Sequence, residues 1–299
     1  MRLQLKFRWF VGILLTLVVL IPLRSLLLYE NPPIAIGNML YERVLAPSFG
    51  GHVFLLVLVL TSPGGRLQRD VIRETWGSAS LAPSTRFVFV LGGQNDLDSD
   101  VRNEFSVNKD LIIGSFPDTY RNLVLKVFVA LNWARTQNCT YVLKADDDVY
   151  INIPRLLNWL RNPSLPEPLY AGEVVEGNRV LRWPPWSKYR IPRDVYNEEI
   201  YPPYCRGAFY VLSRSALPGI MQEVNKHSTL LPMEDAYLGI MARSASLSPV
   251  QIPGCKSSRS VRSQIVTWNE TTLRHVICSG DAFDESILRY LTQFPSTRA

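Results

Sequence analysis

Tyr141-Val142-Leu143-Lys144-Ala145-Asp146-Asp147-Asp148-Val149-Tyr150-Ile151-Asn152 carries an apolar, strand-like segment into three consecutive carboxylates and out into a second strand-like segment. Three adjacent negative charges repel one another, and unpaired charge embedded in a core element is costly. Hard divalent cations are held by one or two carboxylates, with water and substrate phosphates completing the shell. The triplet therefore reads as a candidate metal-diphosphate site; a solvated acidic loop is the competing reading of the triplet alone. An EF-hand loop is excluded, because its required Gly and Glu would fall at Ile151 and Leu157.

The neighbouring elements define the fold class. Val53 to Leu60 is a continuous apolar run of strand length, followed by Pro63-Gly64-Gly65 and a helical stretch from Arg66 to Trp76. Arg86 to Leu91 and Leu111 to Phe116 are further strand-like runs with helical segments after them. Such alternation predicts an α/β domain with a mostly parallel central sheet. Ligands of such sheets lie beyond the carboxyl ends of the strands, where the Asp triplet sits. Arg69 and Arg73, four residues apart on one helix face, are candidates to fork onto a phosphate there; the alternative is a solvated pair bonded to Asp70 and Glu74.

Asn122 to Ala134 is apolar nearly all round and predicts a buried helix, with Trp133 a core residue. Asn152-Ile153-Pro154 reads as a helix start. Gly172 to Arg182 suggests a hairpin turning at Glu176-Gly177-Asn178. Trp183-Pro184-Pro185-Trp186 and Tyr201-Pro202-Pro203-Tyr204 are either loop packing or platforms for a sugar ring. Glu234 and Asp235 precede an apolar helical stretch, Ala236 to Ala242, where the helix dipole alone would favour carboxylates.

Arg2, Lys6 and Arg8 precede an apolar stretch, Trp9 to Leu28, long enough to span a bilayer. A signal-anchor with a cytosolic tail (1–8), a span (9–28), a stem (29–51) and a lumenal domain (52–299) is expected; a cleaved secretory signal is the alternative. Residues 1–28 hold four basic and no acidic residues, so only +2 of the formal +6 belongs to the remaining chain. No basic block interleaved with aromatics and no zinc-finger spacing points to a nucleic-acid partner. The four cysteines form no CxxC pair; in a secretory compartment they suggest two disulfides in one of three connectivities, between which the sequence does not choose, with Cys139–Cys205 and Cys255–Cys278 as the expected pairing. Asn138 and Asn269 head glycosylation sequons.

Arg69 to Trp76, Phe116 to Leu123, Lys144 to Asn152, Tyr201 to Gly207 and Glu234 to Gly239, in this order, resemble the beta-1,3-galactosyltransferase and N-acetylglucosaminyltransferase family, glycosyltransferase family 31. The resemblance implies a GT-A-like nucleotide-sugar-binding fold and a single-pass type II protein of the Golgi membrane. It implies inverting transfer of galactose or N-acetylglucosamine from UDP-galactose or UDP-N-acetylglucosamine, in beta-1,3 linkage, to a glycoprotein or glycolipid acceptor. Mn2+ or another divalent cation is the implied cofactor, with Asp148 and Asp146 as ligands and Asp235 as the base. Arg69, Arg73, Asp118, Asn122, Lys126, Asp146 and Asp147 fall in donor-side segments of the resemblance. Trp183, Trp186, Tyr204 and Glu234 are acceptor-side or lid candidates.

The chain departs from the family pattern in two places. Phe209 stands where the family commonly has Gly, and Ser279 where a metal-binding His is usual; Asp281 or a shifted His275 are the candidate substitutes. A non-catalytic lumenal sugar-binding or chaperone-like relative is therefore the alternative to an enzyme.

Overall fold

The central runs form strands because both of their faces are buried. The computed structural model describes residues 45–78, 83–93, 98–184, 187–227, 230–257, 265, 268, 270–280 and 282–293. In β1 (Val53–Leu60), Leu56, Leu58 and Leu60 pack on one side of the sheet while Leu55, Val57 and Val59 pack on the other. Burying one such side chain stabilises the fold by about 1.5–3 kcal/mol, so the run has no solvent-facing register.

A seven-stranded sheet has the order β3-β2-β1-β4-β7-β6-β8, built from β2 (Thr85–Gly92), β3 (Leu111–Gly114), β4 (Cys139–Asp146), β6 (Tyr170–Val175), β7 (Tyr204–Ser213) and β8 (Val250–Gln251) around β1. β7 alone runs against the others, pairing antiparallel with β4 and β6. The sheet is thus mixed and mostly parallel, as the alternation predicts. The three-residue β5 (Val149–Ile151) leaves this sheet and joins β10 (Cys278–Gly280) and β9 (Cys255–Lys256) in a second, small sheet.

Helices cover both faces. α1 (Arg66–Glu74), α2 (Ser99–Asn108), α4 (Ile153–Leu160) and α8 (Glu285–Thr292) contribute to one core; α3 (Leu123–Ala134), α5 (Ala216–Val224) and α6 (Glu234–Ser244) contribute to the other. A short helix, α7 (Glu270–Leu273), precedes β10. Asn152 caps α4 by accepting the Arg155 N–H at 3.2 Å, with Pro154 in the first turn, as the sequence predicts.

Four expectations need correction or limits. The hairpin at 172–182 does not form: β6 pairs with β7 and β8, and Arg179 makes only an isolated bridge to Ile200. Arg182 holds this segment instead, donating to the carbonyls of Ile191, Tyr196 and Glu198. Cys139 and Cys205 lie at opposite ends of the antiparallel β4–β7 pair, roughly 30 Å apart, too far for a disulfide. Cys255 and Cys278 are cross-strand neighbours, and both are free thiols in this structure.

The expected span at 9–28 lies outside the described residues, among which no helix is long and apolar enough to cross a membrane. Part of the expected stem is docked on the domain. Leu45 bridges Ile113 of β3, and the Phe49 ring meets Trp133 edge-on at 6.0 Å.

Candidate active site

The chain order places a cleft between β1 and β4. From β1 the chain moves outward through β2 and β3, then returns to the other side of β1 to form β4. Connections therefore diverge at the C-terminal ends of β1 and β4, the position where open α/β sheets bind ligands. Leu60 and Asp146 face each other across this pair. A cleft of about 270 Å³ opens there, lined by Leu60, Thr61, Ser62, Leu123, Lys126, Asp146, Asp147 and Asp148.

The C-terminal segment holds the triplet in place. Asp148 accepts the Ala282 N–H at its side chain (3.0 Å) and the Phe283 N–H at its carbonyl (3.0 Å). Gln68 of α1 donates to the Asp147 carbonyl at 2.7 Å. Burial pushes the Asp147 carboxyl above the ordinary carboxylate range; the Thr61 hydroxyl opposes this, and the charge of Asp146 adds to it. A Cβ on Gly65 would lie 2.7 Å from the Thr61 hydroxyl and 3.5 Å from Asp147 Oδ2, so the turn into α1 approaches the triplet closely only because residue 65 is glycine.

The donor set fits a hard divalent cation. Three carboxylates from consecutive residues line one cleft beside the Lys126 ammonium, and their mutual repulsion is of the kind that a cation relieves. Among the described residues no group of three or more His, Cys, Asp or Glu encloses an ion unaided. Asp146 and Asp148 would supply protein oxygens, with the remaining positions left to water and phosphate.

Lys126 donates to the Thr61 carbonyl at 2.7 Å and to Asp118 Oδ1 at 2.8 Å, and Asp118 Oδ2 accepts the Gly92 N–H. Asn122 donates to the Pro117 carbonyl at 2.8 Å, which fixes the turn before α3. Lys126 thus lines the cleft, while Asp118 and Asn122 support it from behind.

Of the two roles open to the arginines in the sequence, the structure shows internal pairing, with Asp70 as one partner and Glu104 and Asp110 in place of Glu74. Arg69 is fully buried, and its five N–H donors all have partners: Glu104 twice (2.9 and 2.5 Å), Thr61 Oγ1, and the carbonyls of Ser62 and Pro63. Arg73 binds Asp70, Glu104 and Asp110. Arg69 acts on the cleft indirectly, by holding the Ser62 and Pro63 carbonyls at its rim.

The other half of the site lies at the N-terminus of α6. Asp235 Oδ2 accepts the Gly207 N–H of β7 at 3.1 Å, and Oδ1 accepts the Ala236 N–H at 2.8 Å. Burial raises its carboxyl above the ordinary range, only partly offset by the Ala236 and Gly207 N–H groups. Glu234 is buried beside it, with Oε1 bonded to Lys144 at 3.0 Å. Burial pushes Glu234 up to about 8 against the pull of Lys144. Lys144 resists deprotonation in spite of its burial, because Asp146 and Glu234 both favour its charge. Its further bonds to Asp146 and the Gly207 carbonyl keep Lys144 charged, so Glu234 is the member of the pair that loses its charge as pH falls.

Among the acceptor-side candidates, Trp183 is 70% exposed. Tyr204 is buried; its hydroxyl accepts from Asn178 at 2.7 Å and its backbone packs against Gly239 of α6. It anchors the helix that bears Asp235. Trp186, Asn269 and Asp281 lie outside the described residues, and Asn138 is exposed at the start of β4. Phe209 is 1% exposed in the core, paired with Ala145, so its ring does not enter the cleft. Ser279 is buried, with its hydroxyl on the Lys256 carbonyl. His275 precedes the Cys278 end of β10, which pairs with Ile151, whereas the Gly280 end adjoins Asp148.

Sequence reasoning missed Thr61, Gln68 and Lys144. A lysine inside the apolar run Tyr141 to Ala145 was the available signal for the last of these.

These features define an α/β protein with an acidic ligand cleft at its switch point. The chain belongs to the galactosyltransferase family, whose domain matches residues 67–253. It is 33% identical over 262 residues to beta-1,3-galactosyltransferase 4 of Homo sapiens, covering 74% of this chain and 69% of that one. It is 33% identical over 211 residues to lactosylceramide 1,3-N-acetyl-beta-D-glucosaminyltransferase A of Xenopus laevis, covering 66% and 56%. The same identity and length hold for beta-1,3-galactosyltransferase 1 of Mus musculus, covering 67% and 63%. The matched region thus spans between about half and just over two thirds of these relatives. A solved structure of galactosyltransferase LgtC with donor and acceptor sugar analogs aligns over 82% of this chain and 97% of its own, at 11% identity and a TM-score of 0.45, too distant to add to the argument.

Proposed function

We propose that this chain is a GT-A-like inverting hexosyltransferase that moves galactose or N-acetylglucosamine from a UDP-sugar to an acceptor glycan in beta-1,3 linkage. The observation that carries this reading is the two-sided site. Asp146, Asp147 and Asp148 line the cleft at the β1–β4 switch point, and β7 joins that side to Asp235 at the start of α6.

On the donor side, Lys126 offers an ammonium to phosphate oxygens, and Asp146 and Asp148 would hold a divalent cation. When bound, such a cation would supply positive charge to offset that of the departing diphosphate. On the acceptor side, Asp235 accepts the proton of the attacking hydroxyl. Its raised pKa makes it a better base than an ordinary aspartate, and the Gly207 and Ala236 N–H groups fix its orientation. A single displacement inverts the anomeric centre, so one base is enough.

Residues 9–28 anchor the protein as a single-pass type II protein of the Golgi membrane, with 29–51 as stem and 52–299 as the lumenal catalytic domain. Glycoprotein or glycolipid acceptors meet it there.

The test is incubation of the purified chain with manganese, a panel of UDP-sugars and a panel of glycan acceptors. Transfer from UDP-galactose or UDP-N-acetylglucosamine is expected. Neither transfer nor UDP release with any combination would sink the enzyme reading. The buried Ser279 where the family pattern has His favours a second reading, a relative that binds sugar without turnover; it predicts UDP binding with no product.

A further inference from the structure

Lys144 is an ammonium 1% exposed in the middle of the central sheet, and binding and base chemistry at the cleft leave it without a role. Its Nζ donates to Asp146 Oδ1 at 2.6 Å, to Glu234 Oε1 at 3.0 Å and to the Gly207 carbonyl. An ammonium has three N–H bonds, and these partners use all three. Gly207 in turn donates its N–H to Asp235. A Cβ at Gly207 would lie 2.6 Å from Glu234 Oε1, so the junction has no slack. The other oxygen of Glu234, Oε2, is buried without a hydrogen-bond partner, which leaves Lys144 as the bonded anchor of that side chain.

We propose that Lys144 is a positioning residue that couples the two halves of the site, so that Glu234 at the acceptor-side helix sets how strongly Asp146 is available to a divalent cation. Lys144 and a cation compete for the same carboxylate. In its ionised form Glu234 draws part of the ammonium's charge away from Asp146; removing the Glu234 carboxylate turns that charge back onto Asp146 and weakens the cation's hold. With Lys144 removed, only the direct charge repulsion between Glu234 and Asp146 remains, and substitution of Glu234 loses most of its effect on metal affinity. The inference rests on the function proposed above, but it concerns binding and not turnover.

The experiment is a double-mutant cycle on the purified chain, read by calorimetric titration of manganese in the presence of UDP and by thermal melting. Titrated above pH 8, where Glu234 is ionised, Glu234→Gln weakens manganese binding by about three- to tenfold in the wild-type background and by less than about twofold in a Lys144→Met background. Should Lys144→Met fail to fold, Lys144→Gln takes its place. A purely structural ion pair would move the melting temperature and leave manganese affinity alone. Manganese affinity within twofold of wild type in Glu234→Gln, or an equal shift in both backgrounds, overturns the coupling while leaving the function standing. A wild-type chain that binds neither manganese nor UDP overturns both.

Discussion

The molecule carries two dense clusters of charge at the ends of its apolar elements and uses them in opposite ways. Around α1, Arg69 and Arg73 close on Glu104, Asp70 and Asp110, and every N–H of Arg69 is spent inside the protein. At the end of β4, Asp146 to Asp148 face a cleft and crowd one another. In sequence both read as candidate ligand groups. What separates them is where they face: a cluster closed on itself inside the fold supports a site, and carboxylates that line a cleft can bind.

The contrast extends to pH. Burial disfavours the Glu104 charge, but bonds from Arg69 and Arg73 overcome this and hold its carboxyl low. Its stabilising contribution is present above the unfolded value near 4.5 and is lost as pH falls through the folded value. Glu234 is shifted the other way, from 4.5 up to about 8. Between these values the folded state binds more protons than the unfolded one, so its contribution is present at low pH and lost as pH rises towards 8.

The largest expected effect breaks the open half. Asp235→Asn lowers kcat by about 10²- to 10⁴-fold, the usual worth of a general base, and leaves UDP binding intact. Equal turnover in a steady-state assay would remove the proposed base. The acidic limb of the wild-type kcat/KM profile should also lie above the ordinary aspartate value of 3.8, because Asp235 must be ionised to act.

Breaking the closed cluster should act on stability first. Arg69→Met strands the buried Glu104 charge and costs about 3 kcal/mol, at the low end for a buried pair because Arg73 still reaches Glu104. Arg69→Met/Glu104→Leu recovers much of this loss in denaturant unfolding. If Arg69→Met leaves stability unchanged, the cluster is not structural. The smallest effect sharpens the pH contrast. Glu234→Gln removes a stability slope of at most about 1.4 kcal/mol per pH unit between pH 5 and 8; an unchanged slope in melts across that range would count against a protonated Glu234.

Much of this organisation is legible in the chain. Val53 to Leu60 and Tyr141 to Leu143 are apolar on both faces, a pattern that suits a doubly covered strand at that length, and Asn122 to Ala134, apolar nearly all round but longer, suits a buried helix. The strand-end carboxylates then locate one wall of the cleft. The small sheet of β5, β9 and β10 was not legible, because strands of two or three residues carry no periodicity. The false hairpin at 172–182 has a related cause. Local pattern suggests pairing between sequence neighbours, whereas Gly172 pairs with Tyr210 and Gln251. The pairing of Arg69 is only half legible, because its partner Glu104 lies 35 residues away, on a helix of its own. Lys144 was passed over because its three partners come from β4, β7 and α6, which no local window joins.

The most direct measurement of the two-sided site is a titration of UDP into the purified chain, with and without manganese, for wild type, Asp148→Ala and Asp235→Asn. Metal-dependent binding should be present in wild type, weakened about tenfold or more in Asp148→Ala, and retained in Asp235→Asn. Wild-type binding that ignores manganese, or an Asp148→Ala chain that binds as tightly as wild type, would contradict the assignment of the Asp triplet.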